Sequence, residues 1–321
     1  MTKHPDQLTH AAAWQGEELF EREDWLYQLS DQEIKEVVAG EIPSSLTSRL
    51  RAIQDWLENG SGVSMIRGIP VESFDEPQAV KFFEALASVV GTPISQSASG
   101  ETVFSVRNAG FAADDPRARG PNTKQKLSFH SDRCDVIAFL CLKQAMQGGE
   151  NQVVSSMTLY NQICAQRPDL MQVLMEPFLY KRHTVDTANS LAYTEQPIFS
   201  FCEGHFGANF LRVLIERAYA SDDTPELTPI QREALDFVEE QAAREDLHVT
   251  FTQRPGDILF LNNWVTLHRR TAFEDHPKPE DRRHLLRVWL SVPNSRPVDP
   301  MFAGNYGATD AGAIRGGMKA S

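Results

Sequence analysis

Two short polar clusters, far apart in the chain, limit what this sequence can fold into. One is Phe129-His130-Ser131-Asp132; the other is Asn262-Asn263-Trp264-Val265-Thr266-Leu267-His268. In a strand, residues i and i+2 share a face, so His130 and Asp132 project together while Ser131 and Arg133 project the other way. His268 is read as ending the apolar run that begins Asp257-Ile258-Leu259-Phe260-Leu261, itself entered from Arg254-Pro255-Gly256. That reads as a buried strand leaving a turn. Only a folded-back sheet or barrel brings His268 beside the first pair. Two imidazoles and one carboxylate form the facial set that holds non-haem Fe(II) and leaves positions open. His-x-Asp alone is a weak motif; the distal histidine and Arg283-His284-Leu285-Leu286-Arg287 give it weight. Arg283 and Arg287 are four apart, so both face one side of a strand. Their neighbours, Leu285, Leu286, Val288 and Leu290, are too apolar for an exposed strand. A buried guanidinium needs a partner, and a carboxylate ligand gripped bidentately is a natural one. The pattern points to an iron oxygenase with a 2-oxo acid co-substrate.

The same residues carry a family resemblance. His130-x-Asp132, the turn Gly148-Gly149-Glu150, His268, Arg283 and then Arg287 resemble the taurine dioxygenase and clavaminate-synthase-like Fe(II)/2-oxoglutarate oxygenases. The resembling segments run from about Gly62 to Pro293, most of the chain. The resemblance implies that His130, Asp132 and His268 bind iron and that Arg283 pairs with the far carboxylate of 2-oxoglutarate. It implies that Arg287 contacts an anionic group of the substrate. The family's threonine after the acidic turn residue is replaced by Asn151, whose amide can donate the same hydrogen bond. Gln96 stands where family members often place substrate contacts. The implied cofactors are Fe(II), 2-oxoglutarate and O2, with succinate and CO2 as co-products. Relatives that halogenate replace the carboxylate ligand with a small residue, so Asp132 favours hydroxylation, desaturation or ring formation.

Bulk properties narrow the partners. The 321 residues carry Lys+Arg 31 against Asp+Glu 44, a net charge of −13. An acidic chain is poorly suited to sequence-independent nucleic-acid binding. There is no apolar run of membrane-spanning length, and the first residues lack the apolar core of a signal peptide. Cys134, Cys141, Cys164 and Cys202 show no paired spacing and read as reduced thiols of a cytoplasmic protein.

The segment pattern predicts a mainly β fold with flanking helices and a double-stranded β-helix (jelly roll, cupin-like) core, since strands with inserted helices lack regular βαβ alternation. One oxygenase domain spans 1–321, with an N-terminal helical arm over 1–60, the jelly-roll core over 61–293 and a tail over 294–321. Helices are expected over 31–39, 45–58, from 76 to about 90, 157–175, 210–220 and from 228 to about 244. Strands are expected over 62–68, 102–108, 127–132, 135–144, 152–156, 248–253, 257–263 and 285–292. The polar stretch 109–126 is long enough to be a lid over the metal. Asn108, ending a strand before that stretch, is a further candidate substrate contact, as is Arg315 if the tail folds back over the pocket.

The expected substrate is a small polar molecule, anionic or zwitterionic, such as an amino acid or other carboxylate. Two alternatives use the same residues. A jelly-roll binding protein could retain the ligands without turnover, and zinc also accepts a His/Asp/His set for hydrolysis. The intact triad together with Arg283 argues against the first, and the second gives no reason for Arg283.

Overall fold

The computed structural model describes residues 5–110, 120–182 and 192–319. Strand β1 (Leu26–Gln28), helices α1 (Asp31–Val38) and α2 (Ser44–Asn59), strand β2 (Val63–Arg67), helix α3 (Glu76–Val90) and strands β3 (Thr92–Ile94) and β4 (Val103–Val106) come first. Strands β5 (Val136–Lys143), β6 (Gln147–Gly148) and β7 (Asn151–Ser155) follow, then helices α4 (Ser156–Gln166) and α5 (Pro168–Leu174). Next are β8 (Phe178–Lys181), β9 (Tyr193–Gln196), β10 (Phe199–Cys202), β11 (His205–Ala208), α6 (Arg212–Tyr219) and α7 (Pro229–Ala242). Strands β12 (His248–Phe251), β13 (Ile258–Asn262), β14 (Thr266–Arg270), β15 (Phe273–Glu274) and β16 (His284–Ser291), with α8 (Ala303–Tyr306), complete the order. Helix starts follow their side chains: Ser30 with Glu33, Asp75 with Gln78 and Thr228 with Gln231 each form a reciprocal capping box.

The larger sheet runs β1-β2-β13-β5-β16-β3, with β4 also paired to β16. The smaller one runs β12-β7-β14. Its open edge is extended by the chain leading into β5. Leu127 N–H donates to Arg270 O at 3.0 Å, and His130 and His268 exchange backbone bonds of 3.0 and 2.9 Å. The two sheets make the expected double-stranded β-helix, with helices packed outside.

β16 shows how one strand serves core and cavity. All its residues are buried. Leu286, Val288 and Leu290 point to α2 and α3 and pack with Leu50, Ile53, Leu57, Phe83 and Leu86. Each such side chain contributes about 1.5–3 kcal/mol by leaving water. Leu285, Arg287 and Trp289 alternate to the other face and line the cavity between the sheets.

Three expectations are corrected. The helix read across 157–175 is two helices, α4 and α5, because Pro168 cannot continue the hydrogen-bond ladder and Arg167 before it takes φ −142°, ψ 67°. His130 and Asp132 do not lie in a regular strand; the segment makes one isolated antiparallel bridge, at His130. His268 does not end the strand after Pro255-Gly256. Asn262 accepts Trp264 N–H at its side-chain oxygen (2.8 Å), turning the chain so that His268 sits on β14, in the other sheet.

The tail is structural. Arg315 is fully buried, with its Nε 2.6 Å from Asp135 Oδ1. The Asp135 carboxylate also accepts from Trp264 Nε1 (2.8 Å), Val292 N (3.0 Å) and Ser291 Oγ (3.3 Å). It joins the start of β5, the turn before β14, the end of β16 and the tail. Arg315→Met would strand that carboxylate and should cost about 3–5 kcal/mol, read from denaturant unfolding; pairing it with Asp135→Leu should recover part of the loss.

Candidate metal centre

His130, Asp132 and His268 converge. One ligand atom from each lies within 4.8 Å of the others. Asp132 Oδ2 is 3.5 Å from His268 Nε2 and 3.9 Å from His130 Nε2, and the imidazole centroids are 4.5 Å apart. Adjacent ligands at about 2.1 Å from a divalent ion would be about 3 Å apart at right angles, so small side-chain rotations close the set. Asp132 Oδ2 is buried with no hydrogen-bond partner, an acceptor that a cation would satisfy.

The backbone sets the ring states. His130 Nδ1 lies 2.9 Å from Ser128 O, so Nδ1 carries the proton and Nε2 presents its lone pair inward. Burial, then neighbouring His268, lower the His130 pKa to about 4, leaving it neutral and ready to ligate. Burial alone would raise the Asp132 carboxyl. Arg287, at 3.8 Å, and the imidazoles outweigh it and hold Asp132 ionised well below the usual carboxylate range. Ser131 points away, its hydroxyl accepting from Phe210 N at 3.0 Å, which is the alternation expected of i and i+1.

A cavity of ≈ 730 Å3 opens from this triad. Arg283, Asn151 and Arg287 line it with the three ligands. Arg283 Nη1 is buried without a partner among the described residues, and burial lowers that guanidinium to about 10. Gly148 and Gly149 both take positive φ, and a Cβ at Gly149 would come within 3.3 Å of Arg283 Nε. Gly149 therefore makes room for Arg283, while Gly148 lets the turn approach the Ala272 backbone. The Asn151 amide donates to Gln253 Oε1 at 3.3 Å while facing the cavity. An unsatisfied buried guanidinium facing a cavity fits a carboxylate ligand.

The remaining candidates sit behind or beside the walls. Gln96 is fully buried, accepts from Arg287 Nε at 2.6 Å and donates to Arg287 O at 2.9 Å. It fixes Arg287, which lies over Phe104 and Trp289 at 5.1 and 4.9 Å, and is not among the cavity-lining residues. Asn108 is also off the wall and accepts Gly110 N–H at 3.1 Å. Arg315 is held in the core by Asp135, not over the pocket. Of the stretch read as a lid, residues 111–119 lie outside the described residues, whereas Gly120 and Lys126 line the cavity.

Several residues of the site were not singled out in the sequence. Asn263 Oδ1 accepts Asp132 N–H at 2.9 Å and pins the ligand segment to the turn before β14. Phe139 on β5 and Trp289 on β16 form apolar wall. Arg270, two beyond His268 and so on its face, could have been found by strand periodicity.

Comparison with known proteins agrees with this geometry. The family model described as "Taurine catabolism dioxygenase TauD, TfdA family" matches residues 29–289. FR-33289 synthase of Streptomyces rubellomurinus is 28% identical over 314 residues, covering 90% of this chain and 91% of that protein. The taurine hydroxylase-like protein SAT17 of Stachybotrys chartarum is 25% identical, covering 92% and 85%. Among solved structures, an asparagine oxygenase in complex with Fe(II), 3-hydroxyasparagine and succinate superposes with TM-score 0.63 at 16% identity, covering 83% of this chain and 93% of that one. The non-haem iron oxygenase OrfP in complex with Fe and alpha-ketoglutaric acid gives TM-score 0.58 at 16% identity, covering 83% and 94%. At these identities the structures establish the shared fold.

If the triad holds the metal, His130→Ala, Asp132→Ala and His268→Ala should each weaken Fe(II) binding by more than the roughly 10–100-fold typical of losing an outer-shell partner. Anaerobic calorimetry reads this directly. Asp132→Ala should also lower the melting temperature, since Arg287 loses its counter-charge.

Proposed function

This chain belongs to the TauD/TfdA family and is a 2-oxoglutarate-dependent dioxygenase that uses Fe(II) and O2; on that premise we propose which residues do the work and what kind of molecule is oxidised. His130, Asp132 and His268 hold the iron. Arg283, with Asn151 beside it, receives the far carboxylate of 2-oxoglutarate. Arg287 orients the substrate. The observation that carries this reading is the pairing of a convergent His/Asp/His set with an unpartnered buried guanidinium in one cavity.

When bound at this site, iron and 2-oxoglutarate would supply the oxidising chemistry, with release of succinate and CO2; the chain's residues would orient and shield it. The Ser128 carbonyl keeps the His130 proton on Nδ1. Arg287 keeps Asp132 ionised. Phe139, Leu285 and Trp289 make the cavity wall apolar and limit water. Because Asp132 occupies the third ligand position, hydroxylation, desaturation or ring closure is the outcome, not halogenation.

The substrate is a small anionic or zwitterionic molecule, an amino acid or another carboxylate. Buried Arg287 supports this, as does the binding of hydroxylated asparagine and arginine by the similarly folded asparagine oxygenase and OrfP. All four cysteines are free, which supports a reducing, cytoplasmic setting. Among the described residues no helix is long and apolar enough to cross a membrane.

A screen of amino acids, sulfonates and small acids for substrate-dependent succinate release from the Fe(II)-loaded protein tests the reading. Stimulation by an anionic or zwitterionic compound is expected; turnover with neutral or cationic compounds alone would overturn the substrate class. Arg283→Met should raise the KM for 2-oxoglutarate about tenfold or more, since a charge-assisted hydrogen bond contributes about 1.5–3 kcal/mol. An unchanged KM would move the co-substrate assignment elsewhere.

A further inference from the structure

Arg270 is a buried cation that the proposed chemistry leaves unused. It lies on β14 two residues beyond His268, is 6% exposed, and lines the cavity. Its guanidinium is taken up by neutral acceptors. Nη1 donates to Thr123 O at 2.8 Å, Nη2 donates to Gln125 O, and Nε donates to Thr271 O at 3.1 Å. Backbone bonds complete the fastening: Phe273 N–H donates to Lys124 O at 3.1 Å and Leu127 N–H to Arg270 O at 3.0 Å. The fastened segment is also cavity wall, through Lys126 and Leu127, and it leads directly into Ser128 and His130.

The second observation concerns Arg283. Its guanidinium lies 5.2 Å from the centre of the Phe273 ring, and that of Arg270 lies 4.6 Å from the same ring. Among the described residues, neither cation has a carboxylate within ion-pair distance. Asp275 contributes a favourable field to both, but its Oδ1 accepts the backbone N–H of Arg283 at 2.9 Å. Two buried like charges thus share one aromatic neighbour, and each disfavours the other.

We propose that Arg270 is a positioning residue that couples 2-oxoglutarate to the wall segment 123–127: the co-substrate's far carboxylate at Arg283 relieves the repulsion between the two guanidiniums and so tightens Arg270 on the Thr123 and Gln125 carbonyls. Without the dianion, releasing the segment lets water reach Arg270 and lowers the cost of the buried pair. With it, the buried pair has its counter-charge and the fastened wall is favoured. The coupling is reciprocal, so fastening the wall raises affinity for 2-oxoglutarate by the same factor. The inference rests on the assignment of 2-oxoglutarate to Arg283.

Lys124 and Lys126 are exposed, and trypsin cleaves after each. The test is the rate of cleavage at these two sites in anaerobic Fe(II)-loaded protein, with and without 2-oxoglutarate, with calorimetry confirming occupancy. Cleavage elsewhere serves as the control for global unfolding. In the unsubstituted protein, 2-oxoglutarate should slow cleavage at both sites roughly fivefold or more, the lower end of ordinary coupling between sites. In Arg270→Met the protein should still bind 2-oxoglutarate, more weakly by about that factor, and the ratio of the two rates should fall to about one. Equal rates with the co-substrate bound to the unsubstituted protein, or full protection surviving in Arg270→Met, would overturn the coupling. No 2-oxoglutarate binding in the unsubstituted protein would overturn the co-substrate assignment itself, and the coupling with it. Should Arg270→Met not fold, Arg270→Lys keeps the charge but cannot span the carbonyls. It should bind 2-oxoglutarate without protecting the segment, and full protection there would show that charge alone suffices and overturn the clamp.

Discussion

The site depends on one backbone pairing, the two hydrogen bonds exchanged between His130 and His268. In an antiparallel hydrogen-bonded pair the two side chains stand opposite one another on the same face. The pairing therefore brings two imidazoles together from remote parts of the chain, and Asp132 follows one alternation later. Asn263 then makes the arrangement specific, because its side chain binds Asp132 N–H from the turn that launches β14. A slip of one residue would turn His268 away from the cavity. Asp135 guards against such a slip by tying the same turn, through Trp264, to the ends of β5 and β16.

Charge is distributed around that pairing in an uneven way. Arg287 has Asp132 nearby and is held at both ends by Gln96. Among the described residues, Arg270 has carbonyls but no ion-pair partner, and Arg283 leaves a buried N–H unused. Outside the site, buried cations are paired, as Arg315 is with Asp135 and Arg296 with Glu58. The uncompensated charge is thus concentrated where a dianionic ligand is expected, which is how a site pre-organised for an anion differs from a structural ion-pair network.

The convergence of His130, Asp132 and His268, and the place of Arg283 in the same cavity, were legible because strand geometry makes spacing informative: i with i+2, and Arg283 with Arg287 four apart. The jelly-roll class was legible from short apolar runs separated by turns. The assignment of His268 to the end of β13 failed for an equally physical reason. The turn Asn263-Trp264-Val265 contains no glycine or proline and relies on the Asn262 side chain to cap it, so an apolar run seemed to continue. Gln96 is read as a substrate contact from its family position, but its Arg287 partner lies 191 residues away on β16, and no local pattern reveals that pairing. The break at Pro168 was readable in principle; the apolar spacing on both sides masked it.

The ends of the chain were the hardest to read, and the structure shows why they matter. Their composition is polar or glycine-rich, which ordinarily marks disorder. Yet Ser155 Oγ donates to Ala12 O and Thr158 Oγ1 to Trp14 O, at 2.5 and 2.6 Å, tying the start of α4 to the N-terminal backbone. At the other end, Gly317 N–H donates to Arg133 O and Met318 N–H to Ser95 O, both at 2.8 Å, and Met318 joins the cavity wall. Gly316 and Gly317 take positive φ, and a Cβ there would press on Arg133 and Ser95 backbone oxygens at 2.5 and 2.8 Å. These glycines let the tail lie flat against the segment just after Asp132. The tail therefore supports the His130-Ser131-Asp132 segment from behind, as Asn263 supports it from the side, and its composition reflects close backbone approach rather than freedom to move.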